Sequence, residues 1–154
     1  AAGLLRSGTS RWRGHGGVCR GGRAVVKAAS GAPKKPWEPE RQDIIWIDCN
    51  PQAGREMRDL HPFLVLSPGV FNSRTSLAIG LPMTTADYNA DNPFAVAVGM
   101  ASGRKRGKTS YVLCHQPKSF DWRARNARAH PLKRLDDVLF ADVLQRLNQI
   151  ITLA

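Results

Sequence analysis

The sequence predicts a mainly β domain, a small barrel or sandwich closed by one C-terminal α-helix. Several short β-branched and aromatic runs alternate with turn-rich segments. Apolar residues take up helical spacing only near the end, from Pro131 onward. The length, 154 residues with 42% hydrophobic and 23% charged content, suits one domain with a genuine core.

Asp43–Asp48 (DIIWID) is a compact β-forming run, and the turn chemistry of Asn50-Pro51-Gln52-Ala53-Gly54 ends it. Phe63–Ser67 (FLVLS) is a second buried run, stopped by Pro68-Gly69. The polar loop between them, Pro51 to Pro62, carries Arg55, Glu56, Arg58, Asp59 and His61, and charged loops on a strand scaffold commonly carry function. Leu77–Pro82, Phe94–Gly99 and Tyr111–His115 read as further strands. Among the segments separating them are the turn Asn89–Pro93 and the basic tip Arg104-Lys105-Arg106-Gly107-Lys108, read as a solvated hairpin end. In the last segment Leu135, Val138, Leu139, Val143, Leu147, Ile150 and Ile151 share one broad helical face. Asp136 and Asp137 sit in its first turns, where carboxylates favour the positive end of the helix dipole.

Charge is unevenly spread. The net +11 comes from 23 Lys and Arg against 12 Asp and Glu, but eight cations precede the first acid, Glu38. The chain from Glu38 onward is only mildly basic, so a nucleic-acid partner requires local clustering. Residues 1–37, rich in Gly, Ser and Arg, read as a disordered basic leader: a mis-assigned start, a tag or, less readily, a transit peptide. The folded domain is expected at 38–154. No apolar run reaches the ~18 residues of a membrane span, and the expectation is a soluble cytoplasmic protein. Cys19, Cys49 and Cys114 are odd in number and lack CxxC pairing, which argues against a disulfide framework or a zinc module.

The run QPKSFDWRAR, Gln116 to Arg125, sets Lys118, Arg123 and Arg125 around Trp122. Single-stranded RNA is held by cations on its backbone and aromatic planes under its bases, so this run has the parts of an RNA surface. The same pattern also suits a core Trp with solvated charges around it.

From about Pro39 to the C-terminus the chain resembles the MazF/PemK family of type II toxin–antitoxin endoribonucleases. The resemblance rests on motifs in shared order: DIIWIDCNPQAGRE, HPFLVLSP, FNSRT, LPMTT, NPFAV and CHQPKSFDWRAR. It implies a small SH3-like barrel of the MazF/PemK/CcdB type, usually homodimeric. Such a protein cuts single-stranded RNA with neither metal nor cofactor, is neutralised by a cognate antitoxin, and binds DNA together with it. Metal-free cleavage by a ribose 2′-OH needs a base, an acid and donors for an anionic phosphorane. The family pattern places an Arg before Pro where this chain has His61, acting with a Thr that matches Thr85, beside Thr84. Imidazole titrates near neutrality and makes a point contact where guanidinium clamps, so His61 implies altered proton-transfer chemistry and weaker phosphorane stabilisation, with Arg55 or Arg58 available to replace the cation. Glu56 matches a family acid and completes the implied catalytic set. Gln116, Lys118, Ser119, Trp122, Arg123 and Arg125 match the RNA-facing segment, in which His115 replaces the usual Asp. The competing readings are a gyrase-inhibiting toxin of the same fold and a weakened homologue that only binds RNA or antitoxin.

Overall fold

The computed structural model describes residues 36–51, 53–101 and 106–152. The basic leader up to residue 35, Cys19, and Arg104 and Lys105 of the basic tip lie outside the described residues. The elements are β1 (Asp43–Asp48), β2 (Leu60–Val65), α1 (Gly69–Thr75), β3 (Leu77–Thr84), a 3-10 turn (Asp87–Asp91), β4 (Ala95–Met100), β5 (Thr109–Leu113), β6 (Lys118–Asp121), β7 (Arg128–Arg134) and α2 (Asp137–Asn148).

Four of these depart from the sequence expectation. β2 begins at Leu60, so His61 and Pro62 stand on a strand rather than in the loop. FNSRT, named above only as a motif, forms most of α1. Lys118–Asp121 pairs as a strand. The expected helix from Pro131 begins six residues later, because Arg128, Ala129 and Arg134 pair with β1 on either side of a bulge and Asp136 then caps α2, accepting from the Val138 and Leu139 amides. Leu135 is buried just before the helix, while Ile150 and Ile151 lie beyond its end and are exposed.

The strands form one curled antiparallel sheet in the order β4-β5-β3-β2-β1-β7, with β6 also on β3. β3 curls the sheet. One edge pairs with β2, while the other pairs with β6 along its first half and β5 along its second. Side chains alternate between faces along each strand. On one face Ile44, Leu64, Leu81, Met83, Val96 and Val112 pack under Phe140, Val143 and Leu147 of α2. On the other, Ile45, Ile47, Phe63, Val65 and Ala78 pack with Phe120 and Trp122. Cys49 and Cys114 are buried free thiols, and burial raises both thiol pKa values, that of Cys114 to about 11.

A buried polar knot joins the N-terminal segment to α1 and β3. Asn72 donates to the carbonyls of Pro39 (2.8 Å) and Ser67 (3.1 Å), its Oδ1 accepts from Ser67 Oγ, and Ser67 Oγ accepts from the Ile79 amide. Every group in it is satisfied, as a low-dielectric interior requires. Trp37, assigned to the leader by composition, packs edge-on against Trp122 at 6.2 Å.

Gly80 marks the closest approach of β3 to β2, where an added Cβ would lie 2.7 Å from the Leu64 carbonyl oxygen. Gly80→Ala is expected to lower stability by ~1–3 kcal/mol, read as a lower urea midpoint at unchanged slope.

Candidate active site

The cleft is built by the same alternation that builds the core. Past the residues that α2 covers, Trp46 follows Ile44 on β1, Pro62 and Leu60 precede Leu64 on β2, Thr85 follows Leu81 and Met83 just past the end of β3, and Ser110 precedes Val112 on β5. All five, with Met83, line one cleft of about 370 Å³, together with His61, Thr84, Lys108, His130 and Leu132. α2 therefore leaves one end of its face of the sheet open.

His61 and Thr84, at the alternate positions of β2 and β3, line this cleft too, so that His61 shares it with Thr84 and Thr85, 23 and 24 residues away in sequence. Thr84 Oγ1 accepts from the Ala86 amide at 3.2 Å, holding the turn after β3. Thr85 makes no hydrogen bond among the described residues, which leaves its hydroxyl for a ligand. Lys108, read from sequence as part of a solvated tip, supplies a cation to this cleft. Its Nζ lies 3.3 Å from Asp87 Oδ2, an exposed pair of the weak kind.

His130 was not foreseen. The ring is 7% exposed and packs on Trp46 with centroids 4.8 Å apart, and its Nδ1 accepts from the Leu132 amide at 3.1 Å. Burial pushes its pKa below 6.5, favouring the neutral imidazole. No sequence period announces it, because its position depends on an irregular pairing of β7 with β1.

The other expected residues lie elsewhere. Arg55, Glu56, Gln116 and Lys118 line a second hollow of about 520 Å³, with Met57, Phe63, Pro82 and His115. Glu56, expected in the catalytic set, lies in this hollow rather than in the cleft of His61: it pairs with Lys118 at 2.5 Å, and that ammonium holds its carboxyl below the usual range. Arg55 does not enter the His61 cleft, and exposed Arg58 lines neither hollow.

The Trp122 run takes the core reading. Trp122 is 6% exposed and its indole N–H donates to the Asn72 carbonyl at 2.9 Å, so no free ring face is offered to a base. Arg123 covers that ring at 4.6 Å and reaches Glu38 at 3.5 Å. Arg125 donates to the carbonyls of Asp48 (2.8 Å) and Asn50 (3.1 Å), tying down the end of β1. Ser119 is exposed on β6 opposite Ile79. Among the described residues no three His, Cys, Asp or Glu side chains group as a metal site, and no helix is long and apolar enough to cross a membrane.

A curled β sheet closed by one C-terminal helix, with a cleft at its uncovered end, puts this chain in the class of small β-barrel proteins. Residues 40–151 match the family described as PemK-like, MazF-like toxin of type II toxin–antitoxin system, and the chain belongs to that family. Endoribonuclease PemK of Escherichia coli is 32% identical over 114 residues, which span 73% of this chain and 82% of PemK. A crystal structure of MazF from Deinococcus radiodurans is 30% identical with a TM-score of 0.64, covering 75% of this chain and 97% of that one. A MazE–MazF structure from the same organism is 25% identical with a TM-score of 0.60, covering 77% and 99%.

The lowered pKa of His130 fixes a pH dependence. Well above pH 6.5 the ring is neutral folded or unfolded. As pH falls from 6.5 towards the lowered folded value, the unfolded chain binds the proton more readily and stability drops. The Tm of the wild type is expected to fall over this window, and His130→Gln to flatten the fall.

Proposed function

We propose that this protein is a toxin endoribonuclease that cleaves single-stranded mRNA without a metal, through attack of a ribose 2′-OH on the adjacent phosphorus. The bond from phosphorus to O2′ forms and the bond to O5′ breaks, leaving a 2′,3′-cyclic phosphate and a 5′-hydroxyl. One proton leaves the 2′-OH and one reaches the departing 5′-oxygen. His61 is the proton-transfer group, because an imidazole nitrogen can both accept and donate a proton. The Thr84 and Thr85 hydroxyls and the Lys108 ammonium face the developing charge on the phosphorane.

The observation that carries this reading is that His61, Thr84, Thr85 and Lys108 line a single cleft. Lys108 offers the positive charge that an imidazole at position 61 does not guarantee. The second hollow, with Arg55, Gln116 and the Lys118–Glu56 pair, extends the contact along the strand and selects bases. Neutralisation by a cognate antitoxin, DNA binding together with it, action as a homodimer and a cytoplasmic site belong to the same proposal. The MazE–MazF structure among its relatives supports the antitoxin.

Replacing the 2′-OH at the cut site by hydrogen is expected to abolish cleavage by purified protein, while EDTA leaves the rate unchanged. Cleavage of the deoxy substrate would exclude this chemistry. His61→Ala and Thr85→Ala are each expected to lower kcat by roughly 10²-fold or more, measured on one mapped RNA site. Full activity in both variants would move the reaction out of this cleft.

A further inference from the structure

His130 stands in an irregularity of β7. Between the pairs Asp43↔Arg134 and Ile45↔Ala129, β1 advances two residues and β7 five, so three extra residues bulge from the edge strand. Lys133 within the bulge has φ 57°, a left-handed conformation that side chains seldom adopt. Bulges re-aim side chains and recur beside active sites. This one aims a histidine into the cleft.

The ring is held on several sides. Trp46 packs against it, the Leu132 amide donates to Nδ1, and the ring is 7% exposed. With Nδ1 accepting, the neutral ring carries its hydrogen on Nε2. That N–H has no protein partner among the described residues, and an unpaired buried donor costs free energy. The Ser110 hydroxyl, 9% exposed and lining the same cleft, is likewise without a partner among them. Unused polar groups therefore converge in a hollow walled by Trp46, Pro62, Met83 and Leu132, the pattern of a preformed ligand site.

We infer that His130 is a second catalytic residue of this cleft, a neutral imidazole whose Nε2–H donates to a non-bridging oxygen of the reacting phosphodiester. The inference rests on the nuclease reading and adds a division of labour between two histidines. His61 on β2 moves the proton, and His130 on β7 moves none. Protonating His130 would set a new Nδ1–H against the Leu132 N–H, and burial already favours the neutral ring. Its hydrogen bond strengthens as charge gathers on the phosphorane oxygens, which lowers the barrier without any proton leaving the ring. The other titratable groups lining the cleft are His61 on β2 and Lys108 just before β5.

The test compares His130→Ala with His130→Gln, whose amide is also a neutral N–H donor, on one mapped RNA site. Alanine is expected to lower kcat by roughly 10²-fold with a much smaller change in KM. Glutamine should recover at least about tenfold of that loss. Unchanged kcat in His130→Ala overturns the inference, as does a glutamine variant no better than alanine. Because either variant can lose the fold, a second measurement uses the wild type. Nitrogen-15 spectra of its histidines, with and without a short mixed-sequence single-stranded DNA that cannot be cut, should show the Nε2–H tautomer at His130. They should also show a shift of that proton on binding. The Nδ1–H tautomer, or no shift at saturation, overturns the inference. If the wild type cuts no RNA while the DNA shifts His130, the nuclease reading falls and the phosphodiester contact stands. If it cuts RNA and His130 is silent in both experiments, the inference alone falls.

Discussion

The helix-covered face of the sheet is longer than the helix that covers it, and the cleft arises from that mismatch. α2 has 12 residues, ~18 Å of helix, and its Phe140, Val143 and Leu147 seal Ile44, Leu64, Leu81 and Val112. The strands continue past that seal with unchanged alternation. Trp46, Pro62, Thr85 and Ser110 occupy the same face one or two positions further on, with no helix above them. A strand that must present Ile44 to the core has no freedom in where it presents Trp46. The core therefore places the strand-borne walls of the site, Trp46, Pro62 and Ser110, and positioning a reactive phosphate requires walls so placed.

Electrostatics separates the cleft from the second hollow. Glu56 and Lys118 neutralise one another, and Arg125 spends its guanidinium on the Asp48 and Asn50 carbonyls. These groups shape the loop after β1 more than they supply free charge. In the cleft, by contrast, the Lys108 pairing with Asp87 is exposed and weak, and the Thr85, Ser110 and His130 donors lack partners among the described residues. The resemblance implies an Arg at the position of His61, and the structure provides donors from other elements around the same hollow. The bulge of β7 is the device that brings in the one farthest away in sequence.

Much of this was legible in the residues. β1, β3, β4 and β5 could be read from β-branched runs bounded by turn residues, and α2 from its apolar spacing, because both signals are local. His61 and Thr85 came from the order of family motifs; nothing in the spacing of a His and a Thr 24 residues apart says that they meet. The misses have physical reasons. Pro131 and its neighbours looked like the entry to a helix, yet they form the bulge of an edge strand paired with β1 on both sides of it, where a Pro is tolerated. Trp122 beside Arg123 suits both an RNA platform and a core anchor, and only the Asn72 carbonyl, 50 residues away, decides between them. His130 left no local signal at all. Its place depends on a register shift between strands that are remote in sequence.

Ligand entry at the uncovered end of the α2 face is tested most directly by the indole N–H signals. Trp46 lines the cleft, whereas Trp122 is bonded to Asn72 and buried. When a mixed-sequence single-stranded DNA is titrated into the protein, a saturable shift of the Trp46 indole is expected, with Trp122 nearly unmoved. A shift at Trp122 with Trp46 unchanged would contradict entry at that end and return the RNA surface to the WRAR segment.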